Sequence, residues 1–420
     1  YKTIRRKTMK SKLFTRNFTF LMLGQISSLL GNYTLKFAMS MYVLEKTGSA
    51  SIFAGLLALS MLPTILLSPL GGILADRANR RGIMVALDAL SGAAVLAGIL
   101  VFESGHDLFS IGGLLILLSV LGAFESPTVQ ACIPAMLSGD NIVKGNAAVN
   151  QVGAIASLIT PFLGSALYTA FGIRPLFYGA LLCFFLTAGL ECFIRLEFHP
   201  TEKKGGVCSI IREDFALSMR FLCREQPGIL KLLLLAALVS FFVAGTAVVG
   251  FPYLVRNVLG LSTGHYGIAE SAMGVAAILG GVCVGIWAQK IRLRNLFILF
   301  GLFGTCLLLS GVLFALPLGV MSRYILLLVF FCLCQWGCSI FSTYALSVIQ
   351  SRTPESLMGK VMSYVMTLSL SAQPLGQILY GALFDLFSKS VYWVLIPSGA
   401  AVVFIGAASK GFFRRLEETP

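Results

Sequence analysis

The chain has 420 residues, of which 57% are hydrophobic and only 12% charged, whereas a soluble domain carries about 45–50% apolar and about 25% charged residues. Too few polar side chains remain to cover a water-soluble globule. This excludes a soluble enzyme, a disordered chain and a conventional nucleic-acid binder, and leaves a polytopic membrane protein. The formal net charge of +14 suggests an anionic partner only until the charges are placed along the chain.

Residues 1–16 form a basic segment with seven Lys or Arg, within which Met9-Lys10-Ser11-Lys12 reads as a natural start. Apolar stretches of about 20 residues or more predict spanning helices. There are twelve, at 17–45, 49–75, 83–103, 108–137, 144–171, 174–195, 228–256, 263–289, 295–316, 323–350, 357–386 and 390–413. With the N-terminus cytoplasmic, inside segments hold 25 Lys or Arg and outside segments hold five: Lys46, Arg174, Arg256, Arg323 and Lys389. The positive-inside rule then puts both termini in the cytoplasm. The +14 becomes a topological signal, with anionic lipid headgroups as the partner of that surface.

The longest polar interruption divides the chain into a six-span half at 17–196, a linker at 197–226, a second six-span half at 227–415 and a tail at 416–420. Ile210 to Leu222 intersperses apolar residues with charges, as an amphipathic helix on the membrane surface does. The halves echo each other at an offset of about 212. Tyr42, Gly48 and Gly55 match Tyr253, Gly260 and Gly267. Leu163-Gly164 after Pro161 matches Leu375-Gly376 after Pro374, and Gly72-Ile73-Leu74-Ala75-Asp76-Arg77 matches Gly285-Ile286-Trp287-Ala288-Gln289-Lys290. The expected fold is an all-α membrane protein of 12 transmembrane helices in two pseudo-symmetric six-helix bundles, with a substrate path between them.

Between spans two and three lies Gly72-Ile73-Leu74-Ala75-Asp76-Arg77-Ala78-Asn79-Arg80-Arg81. Gly72 is expected to allow a close helix approach. Asp76 pairs with local arginines or faces a helix N-terminus. This stretch resembles the signature loop of the major facilitator superfamily. Leu23-Gly24-Gln25, Ser28-Leu29-Leu30-Gly31 and Leu44-Glu45-Lys46-Thr47-Gly48-Ser49-Ala50 resemble its drug/proton antiporter subfamily, which includes macrolide-efflux and enterobactin-exporter proteins. The resemblance runs from about residue 17 to 413. It implies a cytoplasmic gate in which Asp76, Arg77 and Arg81, with Gly72 and Arg80, lock the ends of spans two and eleven. It also implies a monomer. The Arg-bearing motif of span four and the full Gly-Pro-x-x-Gly-Gly of span five are absent; span five offers Thr160-Pro161-Phe162-Leu163-Gly164.

Ionisable groups inside a span cost at least about 2.5–3.5 kcal/mol on insertion scales and are functional candidates by default. Glu125, Asp88 and Glu270 are the proton-coupling candidates. Glu125 lies well inside span four, just before Ser126-Pro127, where proline frees a carbonyl to line a cavity. Asp88 is expected to pair with Arg77 or Arg80. Lys36 and Glu270 either pair across the cavity or stand apart, with Lys36 snorkelling outward. Asn32, Lys36, Glu125, Gln335, Trp336, Gln373 and Gln377 are the expected cavity residues, suited to an amphipathic or cationic organic compound. No P-loop, nucleophile elbow or metal motif appears, so neither an enzyme nor a cofactor or metal is expected. The reading is a bacterial inner-membrane exporter of small amphipathic molecules working by proton antiport, without nucleic-acid partners. Lipid or lysolipid flipping, siderophore export, and a non-transporting sensor or assembly factor are the rivals.

Overall fold

The structure, a computed structural model, describes residues 13–138, 140–196, 224, 226–287, 292–353 and 358–418. The expected surface helix at 210–222 and the natural start at Met9 lie outside the described residues. The helices in chain order are α1 (Arg16–Thr47), α2 (Ala50–Arg77), α3 (Arg80–Glu103), α4 (Asp107–Met136), α5 (Asp140–Phe171) and α6 (Ile173–Cys192). Then come α7 (Pro227–Val258), α8 (Thr263–Trp287), α9 (Phe297–Ala315), α10 (Val320–Arg352), α11 (Met358–Leu386) and α12 (Tyr392–Glu418). No strand occurs among the described residues.

Among the described residues, ten of these helices are long and apolar enough to cross a membrane; α1 and α11 are not among the ten. Length is not the reason, since α1 has 32 residues. Gln25, Ser28, Asn32 and Lys36 interrupt it at spacings of three, four and four, which puts one polar stripe along one face of the helix. α7 begins as an ordinary helix at Pro227–Val239 and continues through π-helical turns at Ser240–Ala244, Thr246–Gly250 and Leu254–Val258. Such widened turns often accompany functional sites. Here they coincide with Gly245 and Gly250, whose missing Cβ atoms would meet Gly376 and Phe384 of α11.

The described residues pack as two compact units. The first takes those within Tyr1–Lys36, Leu66–Thr160 and Arg174–Lys203; the second takes those within Phe37–Ile65, Pro161–Ile173 and Lys204–Pro420. The partition follows packing and cuts through α1, α2 and α5. In the first unit, Gly24 and Gly31, two turns apart on α1, let α6 approach: a Cβ at Gly31 would stand 2.7 Å from Cys183 Cβ, and one at Gly24 3.2 Å from Thr187. Ser27 Oγ donates to the Cys183 carbonyl (3.1 Å), and Thr187 Oγ1 contacts the Gly24 carbonyl (3.2 Å).

The close approach expected of Gly72 belongs to its neighbour. A Cβ on Gly72 would meet no atom of the described residues within 4 Å, whereas one on Gly71 would stand 2.6 Å from the Ala123 carbonyl oxygen of α4. Ala123 is four residues before Pro127, so its carbonyl is the one that proline leaves without an amide donor. The freed carbonyl is covered by Gly71 and does not line a cavity as expected.

The internal repeat has a backbone counterpart. Gly48, one residue after α1, and Gly260, two residues after α7, have φ of +63° and +67°. Both end a helix in the left-handed conformation that glycine adopts without a Cβ penalty.

Candidate functional site

In the first unit, α1 directs its polar stripe at three carboxyl groups. Ser28, 1% exposed, has its Oγ 3.1 Å from Asp88 Oδ1 on α3 and 3.3 Å from Glu125 Oε1 on α4. Asp88 is fully buried, and its carboxyl lies within hydrogen-bonding reach of Glu191 on α6, itself 1% exposed. Asp88 Oδ2 and Glu191 Oε2 are both buried with no donor among the described residues. Lys36 is close enough to Glu125 for their charges to attract. Gln25 lies against Glu125, its amide nitrogen short of hydrogen-bond geometry. Asn32 is half-buried, with its Oδ1 lacking a donor.

Among the described residues, Asp88 meets Ser28 and Glu191 rather than Arg80, which stands eight residues earlier, about 12 Å back along the axis of α3. Arg80 Nε instead donates to the Ala75 carbonyl (2.9 Å), and Arg81 Nη2 donates to the Cys192 carbonyl at the end of α6 (2.5 Å). Asn79 caps α3 by accepting from the Gly82 amide (3.3 Å). The side chains of Asp76 and Arg77 lie outside the described residues.

The other predicted cavity residues belong to the second unit. Glu270 lies beside the Tyr266 hydroxyl, one turn earlier on α8, and Tyr266 stacks on Phe37 of α1 at 5.6 Å and 12°. Thus Lys36 and Glu270 each have another neighbour within their own units. Gln335 and Trp336 are half-buried on α10, where Gly280 of α8 packs against the Trp336 carbonyl. Gln373 is half-buried on α11; Gln377, one turn on, is 1% exposed with its Oε1 lacking a donor.

The second unit also contains a polar clamp that the sequence reading missed. Asp385, at the end of α11, accepts from Ser49 Oγ (2.6 Å), the Ala50 amide (2.7 Å) and the Ser51 amide (2.9 Å). It therefore caps the N-terminus of α2 from another helix, where orphan amides and the helix dipole favour a carboxylate. Nearby, Glu45 at the end of α1 is bound by Arg256 of α7, by Thr263 Oγ1 of α8 (2.7 Å) and by Tyr168 of α5 (2.8 Å). Asn257 donates to the Gly48 carbonyl (2.9 Å). Two glycines bring backbones together beside these bonds. A Cβ on Gly381 of α11 would meet Ala54 Cβ at 2.6 Å and the Ala50 carbonyl at 2.9 Å; one on Gly267 of α8 would meet the Pro161 carbonyl of α5 at 2.7 Å.

Glu191 also escaped the sequence reading because it lies near a span end. Its signal was Ala188-Gly189-Leu190 before it and Cys192-Phe193-Ile194 after it, an acid with apolar residues on both sides. The three–four–four spacing of Gln25, Ser28, Asn32 and Lys36 was equally legible.

Carboxylates in facing helices, an internal repeat and a helical membrane architecture point to transport, and comparison with known proteins decides the family. The family model of the Major Facilitator Superfamily matches residues 21–376 and 233–418. The chain belongs to this superfamily. It is 24% identical to macrolide efflux protein A of Streptococcus pyogenes over 390 residues, covering 91% of this chain and 92% of that protein. It is 24% identical to the enterobactin exporter EntS of Salmonella typhi over 357 residues, covering 83% and 81%. Among solved structures, the POT family transporter PepTSo matches with a TM-score of 0.75 at 12% identity, covering 97% of this chain and 99% of that one. The superfamily member described here is a multi-pass membrane transporter rather than an enzyme.

Proposed function

We propose that this chain exports small amphipathic or cationic organic compounds from the bacterial cytoplasm by proton antiport, with two six-helix halves of a 12-helix bundle (17–196 and 227–415) alternating access to a shared path. The observation that carries the reading is Glu125: a carboxyl deep in α4, half-exposed in the protein, joined to Ser28 and facing Lys36. An acid so placed exchanges a proton for a cationic or polar substrate group. The macrolide and enterobactin exporters among the relatives support efflux of organic molecules. The matched glycines Gly48 and Gly260 support two homologous halves, and the excess of basic residues on one side supports cytoplasmic termini in the inner membrane.

Asp88 and Glu270 are the further proton-coupling candidates, and Asn32, Lys36, Gln335, Trp336, Gln373 and Gln377 line the path. The clamp around Asp385 and Glu45 lies at the extracellular end and must release when the outside opens. Gly72, Asp76, Arg77, Arg80 and Arg81 form the opposite, cytoplasmic gate. The protein works as a monomer, with anionic lipids at its basic cytoplasmic surface.

Purified protein in liposomes tests this with ethidium, erythromycin, enterobactin and a fluorescent lysolipid, each with and without an imposed pH gradient. Gradient-dependent transport of ethidium or erythromycin is expected. Enterobactin transport alone would make the chain a siderophore exporter. Lysolipid flipping without a gradient would replace antiport with flippase activity, and no flux of any probe would favour a sensor.

A further inference from the structure

Ser28 has one hydroxyl proton but stands within hydrogen-bonding distance of two carboxyl groups, Asp88 at 3.1 Å and Glu125 at 3.3 Å. It can donate to only one. The other contact closes only if that carboxyl donates to the serine oxygen. The contact between Asp88 and Glu191 closes only if one of those two donates to the other, because no other described residue supplies a donor to Asp88 Oδ2 or Glu191 Oε2. Closing all three contacts as hydrogen bonds takes three protons, of which the hydroxyl brings one, which puts two on the three carboxyls and leaves one negative charge. Lys36, facing Glu125, brings one positive charge.

The groups also form a line. Glu191 is the penultimate residue of α6, the end at which Arg81 of α3 binds the Cys192 carbonyl. Asp88 lies two turns into α3, and Ser28 and Glu125 lie deeper still. Tyr33 and Lys36 of α1 face Glu125, and Gln25, 6% exposed with its amide nitrogen unpartnered, lies against it. At the other end, Cys132 of α4 and Cys192 lie near Glu191, and Arg80 lies near Cys132.

We propose that Glu125, Ser28, Asp88 and Glu191 form a hydrogen-bonded relay that carries protons between the middle of the membrane and the cytoplasmic end of α6, holding two protons at rest, with Glu191 as its terminal carboxyl. This rests on the antiport reading and assigns it a path. In each step the Glu125 acid gives its proton to Ser28 Oγ while that hydroxyl gives its own proton to the Asp88 carboxylate. Glu191, the second acid at rest, first releases its own proton to cytoplasmic water, and Asp88 then passes its proton to the vacated Glu191 carboxylate. One proton is displaced per passage, and the serine returns to its starting state by rotating its O–H.

The first test needs no substrate. Infrared difference spectra of the full-length protein in lipid, exchanged between water and heavy water, read the carboxylic-acid C=O stretch. Glu191→Gln should remove the intensity of one acid group, halving the relay's share, whereas Asp88→Asn, which removes the carboxylate between the two acids, should not. Unchanged intensity in Glu191→Gln overturns the proposal. The second test uses ethidium in proteoliposomes and compares uptake driven by a pH gradient with ethidium exchange at equal pH. In Ser28→Ala and Glu191→Gln the ratio of driven uptake to exchange should fall by about a hundredfold or more, the usual scale for losing a positioned proton donor. Ser28→Thr, which keeps the hydroxyl, should restore it. A wild-type ratio in Ser28→Ala overturns the relay. If wild-type protein moves no probe while the infrared result holds, the antiport reading fails and the two-proton cluster stands.

Discussion

Asp385→Asn tests the clamp at the least steric cost. The carboxylate holds three donors at the first turn of α2, two of them backbone amides. Asparagine keeps one acceptor oxygen, turns an amide group towards a donor, and removes the charge opposite the helix N-terminus. Hydrogen bonds to a charged group contribute about 1.5–3 kcal/mol each, and the dipole term adds about 0.3–1 kcal/mol. Asp385 is half-buried, so solvent screens part of this. A net loss of about 2 kcal/mol follows, equivalent to roughly a 30-fold shift in a two-state equilibrium. Nitroxides at Ile52→Cys on α2 and Leu386→Cys on α11, both exposed positions, report the separation by electron–electron resonance after the native cysteines are replaced. Without the mutation the distribution should be narrow; Asp385→Asn should add a longer-distance population. Identical distributions with and without the mutation would refute the idea that this carboxylate holds the two helices together.

Three further outcomes are expected. Gly71→Ala should destabilise the protein by about 1–3 kcal/mol, because its Cβ enters the Ala123 carbonyl; Gly72→Ala, whose Cβ meets no atom of the described residues, should leave the melting temperature in detergent unchanged. Gly381→Ala should populate the same long-distance state as Asp385→Asn, since backbone atoms of Ala50 and Ser51 cannot retreat without parting the helices; spin-label distances at the same two positions check this. Asp76→Asn should slow ethidium transport several-fold with the melting temperature preserved; wild-type flux would remove Asp76 from the gate.

Much of the architecture was legible because hydrophobic length and charge placement are additive along a chain. The predicted spans coincide with helices to within a few residues at most ends, and the repeat offset pairs Gly48 with Gly260, whose backbones adopt the same left-handed turn. Asp88 illustrates the limit. Its depth was readable from residue counting, but its partners were not, because Ser28 and Glu191 reach it from helices 60 residues before and about 100 residues after it in the chain. The two clamp acids were passed over for a related reason. Glu45 and Asp385 lie at helix ends, where a solvated carboxylate is ordinary, and only the fold brings Arg256, Thr263 and the first turn of α2 to them. The glycines are similar: sequence marks Gly71 and Gly72 alike, and only the position of Ala123 distinguishes them.

The central claim is that substrate export and proton entry are one process carried by Glu125. Liposomes containing the purified protein, loaded with a pH-sensitive dye and given an ethidium gradient but no pH gradient, test it directly. The account predicts that ethidium movement drives a change in luminal pH in the wild type, and that Glu125→Gln abolishes the pH change. Ethidium flux through the wild type with no pH change, or a full pH change in Glu125→Gln, would contradict it.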